Sequence, residues 1–331
     1  MAEALRERGV EVTFAGSPDR VEAELVPKHG YAFDPFRIAG FPRRPSVALM
    51  RALLLAGRAP AACAAILRRR QPHVVLGGGG FVAGPMVLAA WLRRIPAALT
   101  EADAQLGLAN RLASPFARRV FLAYELAGRK PPKYRVTGRP VPVAHRGATQ
   151  ADGRASLGLP VEGPVLAFFG ALAGARSLND FAVETYGRSG PVVLHISGER
   201  DFERLRPLVE RDDYVLVPTT PSFGAALAAP DLAVSRAGGT VWELAAAGTP
   251  SILVPYPHAT GDHQTLNARR FERGGGAIVV PEPELDRVAA LVEELLADPD
   301  RLGAMRAAMR SMARPDAADE IAEELVALAR S

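Results

Sequence analysis

The sequence predicts an α/β chain of two domains, built from βα units around parallel sheets. Three observations carry this. The 331 residues are long for one core and comfortable for two. Residues 232–267, LAVSRAGGTVWELAAAGTPSILVPYPHATGDHQTLN, alternate short apolar strands with helical runs punctuated by Gly and Pro. Residues 140–153 are rich in Pro and Gly without periodicity, and read as a linker between two halves of this kind.

In the first half, residues 1–8 read as the end of a helix and 10–16 as a strand. A doubly wound domain normally opens with a strand and a Gly-rich turn before that helix. That first strand and its loop are missing, and the true start is expected upstream of Met1. Residues 17–29 read as a helix with Ser17 as cap and Pro18 at its first position. The run FRIAGFPRRPSVALMRALLLAGRAPAACAAILRRRQP sets Arg43, Arg44, Arg51, Arg58, Arg68, Arg69 and Arg70 around Phe41, Leu49, Met50, Leu53, Leu54 and Leu55. It suits a helix packed on a sheet, or an element lying in an anionic membrane interface. Residues 73–76 read as a strand running into Gly77, Gly78, Gly79, Gly80 and Phe81. Four glycines leave backbone N–H groups exposed as a nest for a pyrophosphate, whereas close packing alone would ask for one or two. Residues 96–99, 120–123 and 135–137 read as strands, and Asn110 and Arg111 fall in a helix.

The second half restarts with a strand at 165–169 and the run GALAGARSLN. Strands follow at 192–196, 214–218 and 232–235. Ala237, Gly238 and Gly239 read as a turn too tight for side chains. Thr240 can cap the next helix, with Glu243 at capping-box spacing. Gly248, Thr249 and Pro250 stop that helix before a strand at 251–254. Such a unit aims helix N–H groups at the carboxyl edge of a parallel sheet, a site for an anion such as a nucleotide phosphate. The following loop brings His258, Asp262, His263 and Gln264 to the same edge. Residues 277–280 form the last strand, with helices at 285–297, 301–312 and 316–329.

Composition excludes several classes. One cysteine, Cys63, rules out an internal disulfide and a Cys-based zinc site, and suits a reducing cytoplasm. No apolar run reaches the roughly 18 residues of a spanning helix. MAEALRERGVEV alternates charges with short apolar pieces and does not read as a signal peptide. The net charge is +4, but the basic residues are mostly Arg in an Ala-rich chain, a pairing common in GC-rich genomes, so it says little about partners. The basic residues are not interleaved with aromatics, which argues against nucleic acid. No DxD-like or His/carboxylate cluster has metal-ligand spacing, and no Walker loop or GxSxG is present, so no tightly bound metal or cofactor is expected.

The segment SRAGGTVWELAAAGTPSILVPYPHATGDHQTLNA resembles the donor-binding segment of the MurG family, the N-acetylglucosaminyltransferases that complete lipid II in peptidoglycan synthesis. The resemblance extends over nearly the whole chain. GGGGFVAGP is similar to the family's second Gly motif. TEADAQLGLANR resembles HEQNAVPGLANR: Glu101, Gly107, Leu108, Ala109, Asn110 and Arg111 are kept, while Thr100, Ala102 and Asp103 replace His, Gln and Asn. GRPVP resembles GNPVR, with Arg139 at the Asn and Pro142 at the Arg. GALAGARSLN resembles GGSQGARxLN, with Leu172 at the phosphate-contacting Ser and Ala173 at the Gln.

The resemblance implies a GT-B fold of two doubly wound domains with the donor nucleotide between them. Residues 1–143 are then the acceptor and membrane-side domain, 144–153 the linker, 154–315 the UDP-sugar domain, and 316–331 a helix crossing back to the first domain. The missing first loop is the family's GGTGGH-type loop. The implied reaction is inverting transfer of N-acetylglucosamine from UDP-N-acetylglucosamine to undecaprenyl-pyrophosphoryl-N-acetylmuramyl-pentapeptide (lipid I), giving lipid II. Gly78, Gly79, Gly80 and Phe81 form the acceptor-side loop. Gly238, Gly239 and Thr240 open a donor-binding helix, Glu243 reaches ribose hydroxyls and Gln264 reads the sugar. Leu172 removes a side-chain contact but leaves backbone donors, and Arg139 can supply the cation lost at Pro142. Asp103 stands near the sugar and, while ionised, accepts but does not donate. It is also the acidic residue offered as catalytic base. UDP-N-acetylglucosamine is a substrate and no cofactor is implied. The implied partners are lipid I, an anionic membrane surface and cell-wall synthesis proteins, at the cytoplasmic face of the plasma membrane. Two further readings stay open: a GT-B transferase for another acceptor, and a non-catalytic donor-binding or scaffold protein.

Overall fold

A computed structural model describes residues 1–39, 47–170 and 175–331. The chain forms two compact units, residues 1–140 with 316–331, and residues 141–315. The first unit runs α1 (Ala2–Glu7), β1 (Thr13–Gly16), α2 (Glu22–Lys28), β2 (Ala32–Pro35), α3 (Val47–Arg70), β3 (Val75–Gly77), α4 (Gly80–Leu92), β4 (Ala97–Glu101), α5 (Leu108–Ala113), β5 (Arg119–Leu122) and β6 (Tyr134–Val136). The strands pair in parallel, β1 with β2 and then β3-β4-β5-β6.

The second unit runs α6 (Gln150–Ser156), β7 (Val165–Phe169), α7 (Arg176–Tyr186), β8 (Val192–Ile196), α8 (Glu199–Leu205), β9 (Tyr214–Val217), α9 (Phe223–Ala228), β10 (Leu232–Ser235), α10 (Thr240–Ala247), β11 (Ser251–Leu253), α11 (His263–Arg273), β12 (Ala277–Val279), α12 (Arg287–Leu296) and α13 (Pro299–Met312). Its six parallel strands stand in the order β12-β11-β10-β7-β8-β9. The order reverses between β7 and β10, the signature of a doubly wound sheet. All five residues of β7 are buried, because helices cover both faces of a parallel sheet. Phe168 is fully buried with Leu166, Leu178 and Val234, and its side chain alone contributes about 1.5–3 kcal/mol. Gly248 ends α10 in the left-handed conformation, φ +75°, as a C-terminal glycine should.

The chain then returns to the first unit as α14 (Ala317–Ala329). Ile321, Leu325 and Leu328 pack on Ala98 and Phe121. Ala318 and Ala322 sit against Ala4, and Arg8 pairs with Asp319 at 2.9 Å.

Several local expectations are corrected. The helix expected from Ser17 begins at Glu22, with no side-chain cap, because Ser17 is buried at the end of β1. The segment AFDP, only four residues long, is strand β2, for which the sequence predicts no element. Residues 150–156, within and just past the stretch read as linker, are helical, with Thr149 accepting the Asp152 N–H at 3.1 Å. Gly153 there serves packing, since a Cβ would lie 2.6 Å from the Ala225 carbonyl oxygen.

Candidate functional site in the two units

In a doubly wound sheet, ligands bind outside the carboxyl ends of the strands where the order reverses. In the second unit this places the carboxyl ends of β7 and β10 side by side, with the end of β11 next to them. Residues 171–174, including Leu172, lie outside the described residues.

Arg236, the first residue past β10, ties the segments around these strand ends together. Its side chain is 7% exposed. It donates to the Val254 and Pro255 carbonyls at 3.2 and 3.3 Å and to Ser177 Oγ at 2.8 Å. It pairs with Glu282 and lies over the Tyr256 ring at 5.5 Å. Ser177 in turn donates to Glu282 at 2.8 Å. One guanidinium thus ties the start of α7, the ends of β10 and β11, and the turn after β12. Five donors in a rigid fork suit it to several acceptors at once. The sequence reading quoted Arg236 inside its motif without singling it out.

Gln264, in the first turn of α11, accepts the Tyr256 N–H at 2.9 Å through Oε1. A backbone N–H can meet only the amide oxygen, so this contact fixes the flip and turns the NH2 group toward Gly238. A Cβ built on Gly238 would come within 3.9 Å of that nitrogen and would touch nothing else. Gly239 has ordinary helical φ and ψ, −62° and −32°. The expectation of a turn too tight for side chains is therefore wrong for Gly238, beside which the space is open, not filled.

The capping-box expectation also fails. Thr240 is the first residue of α10, Gly239 is its N-cap, and no side chain caps it. Glu243 pairs instead with His145, Oε1 to Nδ1 at 2.8 Å. His263 reaches the Thr260 carbonyl at 2.9 Å, Asp262 accepts from Thr265 Oγ1 at 2.6 Å, and His258 packs on the Tyr256 ring.

Beside β7, between α7 and strands β8 and β9, lies a buried polar chain. Asn179 donates to the Ser197 carbonyl at 2.9 Å and to Asp201 at 3.1 Å. Its Oδ1 can only accept, so His195 Nε2 donates to it at 3.0 Å, and His195 Nδ1 accepts from the Tyr214 hydroxyl at 2.8 Å. The ring is thereby neutral, and burial pushes its pKa down to about 3.

In the first unit, the glycines after β3 divide into separate roles. A Cβ on Gly77 would lie 2.8 Å from Leu99 and 3.0 Å from Ala83. Gly79 and Gly80 have φ of +92° and +67°. Gly78 has open space and no such backbone demand. Packing and conformation therefore account for three glycines, where close packing had been expected to need one or two. Phe81 follows in the first turn of α4, with Arg20 stacked 5.6 Å from its ring. Asp103 lies in the β4–α5 loop, which Glu101 organises from within. Glu101 accepts from the N–H groups of Asp103 at 3.3 Å and Gly107 at 2.8 Å, and from Asn110 Nδ2 at 2.9 Å. Asn110 also donates to the Thr100 carbonyl, so it shapes the loop. Arg139 lies in the segment after β6, half-buried. The structure groups Gly238, Gly239, Thr240, Glu243 and Gln264 at one sheet edge of the second unit, and in the first it places Gly78 and Gly79 in the turn after β3, Gly80 and Phe81 at the start of α4, and Asp103 in the β4–α5 loop. Among the described residues no group of three or more His, Cys, Asp or Glu is placed to hold a metal ion.

Comparison with known proteins agrees over the whole chain. Residues 1–122 match the glycosyltransferase family 28 N-terminal domain, and residues 165–321 its C-terminal domain. A Rubrobacter xylanophilus protein named UDP-N-acetylglucosamine–N-acetylmuramyl-(pentapeptide) pyrophosphoryl-undecaprenol N-acetylglucosamine transferase is 39% identical, across 100% of this chain and 99% of its own. A Halothermothrix orenii protein of the same name is 36% identical, across 95% and 90%. The crystal structure of Acinetobacter baumannii MurG superposes with a TM-score of 0.78 at 23% identity, covering 98% of this chain and 94% of that one, a likeness that shows the GT-B fold. The chain belongs to glycosyltransferase family 28 and, within it, to the MurG family.

Proposed function

We propose that the protein transfers N-acetylglucosamine from UDP-N-acetylglucosamine to undecaprenyl-pyrophosphoryl-N-acetylmuramyl-pentapeptide, giving lipid II. The full-length likeness to transferases of that name, at 36–39% identity, carries the reading. In this reaction the acceptor hydroxyl oxygen bonds to C1 of the sugar, the bond from C1 to the donor phosphate breaks, and UDP leaves. The hydroxyl proton passes to a base. The α7 and α10 N-termini, at the switch point, are assigned to the leaving pyrophosphate, whose charge they stabilise without reorganising. Gly238 leaves room there, and with Leu172 in place of the family's Ser, backbone donors at the start of α7 take the same role. Glu243 takes the ribose hydroxyls. Gln264 reads the sugar, offering its NH2 group because its oxygen is held by Tyr256. Arg139 is assigned a phosphate contact. In the first unit, Gly78, Gly79, Gly80 and Phe81 take the acceptor side, and Asp103 is the proposed base.

The proposal extends to a peripheral site on an anionic membrane at the cytoplasmic face. Val47, Met50 and Leu54 on α3 are 83%, 66% and 67% exposed. No helix among the described residues is long and apolar enough to cross a membrane. The deciding experiment supplies UDP-N-acetylglucosamine with a lipid I analogue, then with a soluble glycan acceptor, and follows UDP release and product mass. Lipid II formation is expected. Transfer only to the soluble acceptor, or no turnover at all, would sink the assignment.

A further inference from the structure

We propose that His145 is the positioning residue for Glu243, holding one carboxylate oxygen so that the other meets the ribose hydroxyls in a fixed orientation. The inference rests on the reading of Glu243 as the ribose-binding carboxylate.

The two residues stand 98 positions apart and meet at 2.8 Å. A carboxylate oxygen only accepts, so Nδ1 carries the proton and donates, whatever the charge of the ring. Among the described residues, hydrogen bonds to Glu243 engage Oε1 alone. Both side chains are largely covered, His145 25% and Glu243 19% exposed, which strengthens a bond to a charged acceptor.

His145 is itself built into place. Its ring packs edge-on against Phe223 at 5.3 Å, and Phe223 packs on Phe169, the last residue of β7, at 5.9 Å. Its backbone lies in a short 3-10 turn, Val143–His145. A Cβ on Gly224 would fall 2.3 Å from the Ala144 carbonyl oxygen and 2.8 Å from His145 Cα. Only glycine at the start of α9 therefore lets that turn approach. A continuous set of contacts runs from the strand at the switch point, through two aromatic rings, to the carboxylate on α10. A free glutamate on a helix surface samples several rotamers, and fixing one in advance removes that loss from the binding step.

The test is calorimetric titration of the full chain with UDP and with 2′,3′-dideoxyuridine diphosphate, which offers no ribose hydroxyl to Glu243. The variants are Glu243→Ala, His145→Phe, which keeps a ring on Phe223 and removes the donor, and His145→Asn, which restores an amide donor near Nδ1. Glu243→Ala and His145→Phe are each expected to weaken UDP about tenfold and to leave the dideoxy ligand within about twofold. His145→Asn should return UDP affinity to within about threefold of the wild type, and adding His145→Phe to Glu243→Ala should cost nothing more. If His145→Phe binds UDP normally while Glu243→Ala does not, His145 positions nothing and the ribose assignment stands. Equal weakening of both ligands by His145→Phe would mean a structural role and overturn the proposal. Normal UDP binding by Glu243→Ala would remove the ribose assignment itself.

Discussion

Arg236 is a buried cation whose partners come from three other segments of the second unit. Removing one partner of a buried ion pair leaves the other unsatisfied. Arg236→Met is expected to destabilise the protein by about 3 kcal/mol, read as a shift in the urea midpoint. Gln264 belongs to recognition instead. Its half-buried amide faces open space beside Gly238, and a site built to bond a hydroxyl rejects the wrong epimer by leaving its own groups unpaired. Gln264→Ala should lower the kcat/KM ratio for UDP-N-acetylglucosamine over its C4 epimer about tenfold; an unchanged ratio would refute the sugar-reading role. Glu243 caps no helix, so Glu243→Ala should weaken UDP by about 1–3 kcal/mol, with only the modest fall in melting temperature that loss of the His145 contact brings. A variant that only melts earlier would assign the residue to helix stability.

The Gly run shows what an element asks of its sequence. Gly77→Ala forces a Cβ against Leu99 and Ala83, an overpacking that costs about 1–3 kcal/mol. Gly78→Ala meets nothing and should melt as the wild type does. If the loop serves the acceptor, it should still raise KM for the lipid I analogue; an unchanged KM would remove Gly78 from the site. Under β7, the α7–β8–β9 contacts bury His195, which holds its pKa far below the usual 6.5, at about 3. Between those values the unfolded chain binds a proton that the folded chain refuses. This contribution is complete above about pH 6.5 and fades as the pH falls toward 3. The melting temperature should drop from pH 7 to pH 5, and less steeply in His195→Asn.

At the scale of the whole molecule, α3 divides along its length. Ala59, Cys63, Ile66 and Leu67 pack into the first unit's core. Arg69 and Arg70 pair with Asp34 at 2.6 and 2.7 Å. Those arginines therefore belong to the fold, while Val47, Met50 and Leu54 remain exposed. Phe41, Arg43 and Arg44 lie outside the described residues, as do the side chains of Leu49, Arg51 and Leu53. The protein is expected to co-sediment with vesicles containing anionic lipid and poorly with neutral ones. Met50→Glu with Leu54→Glu should release it. Sedimentation indifferent to lipid charge would contradict the membrane-side assignment.

The sequence by itself determined the parallel α/β class and most second-unit strands. β7, β8 and β10 are short apolar runs between Gly, Pro and polar punctuation, a pattern that is local and readable. It also placed Gly238 and Gln264 at one sheet edge, because consecutive βα junctions of a parallel sheet share that edge. It could not place β2, whose four residues carry too little pattern, nor tell that Gly153 packs a helix while Gly78 faces open space. Capping-box spacing suggested a local partner for Glu243, and the structure pairs it instead with a residue 98 positions away. Arg236 likewise depends on Ser177 and Glu282, brought to it only when β7 and β10 pair. Secondary structure follows from neighbours along the chain. The partners of a buried charge follow from which strands lie side by side, and only the folded sheet fixes that.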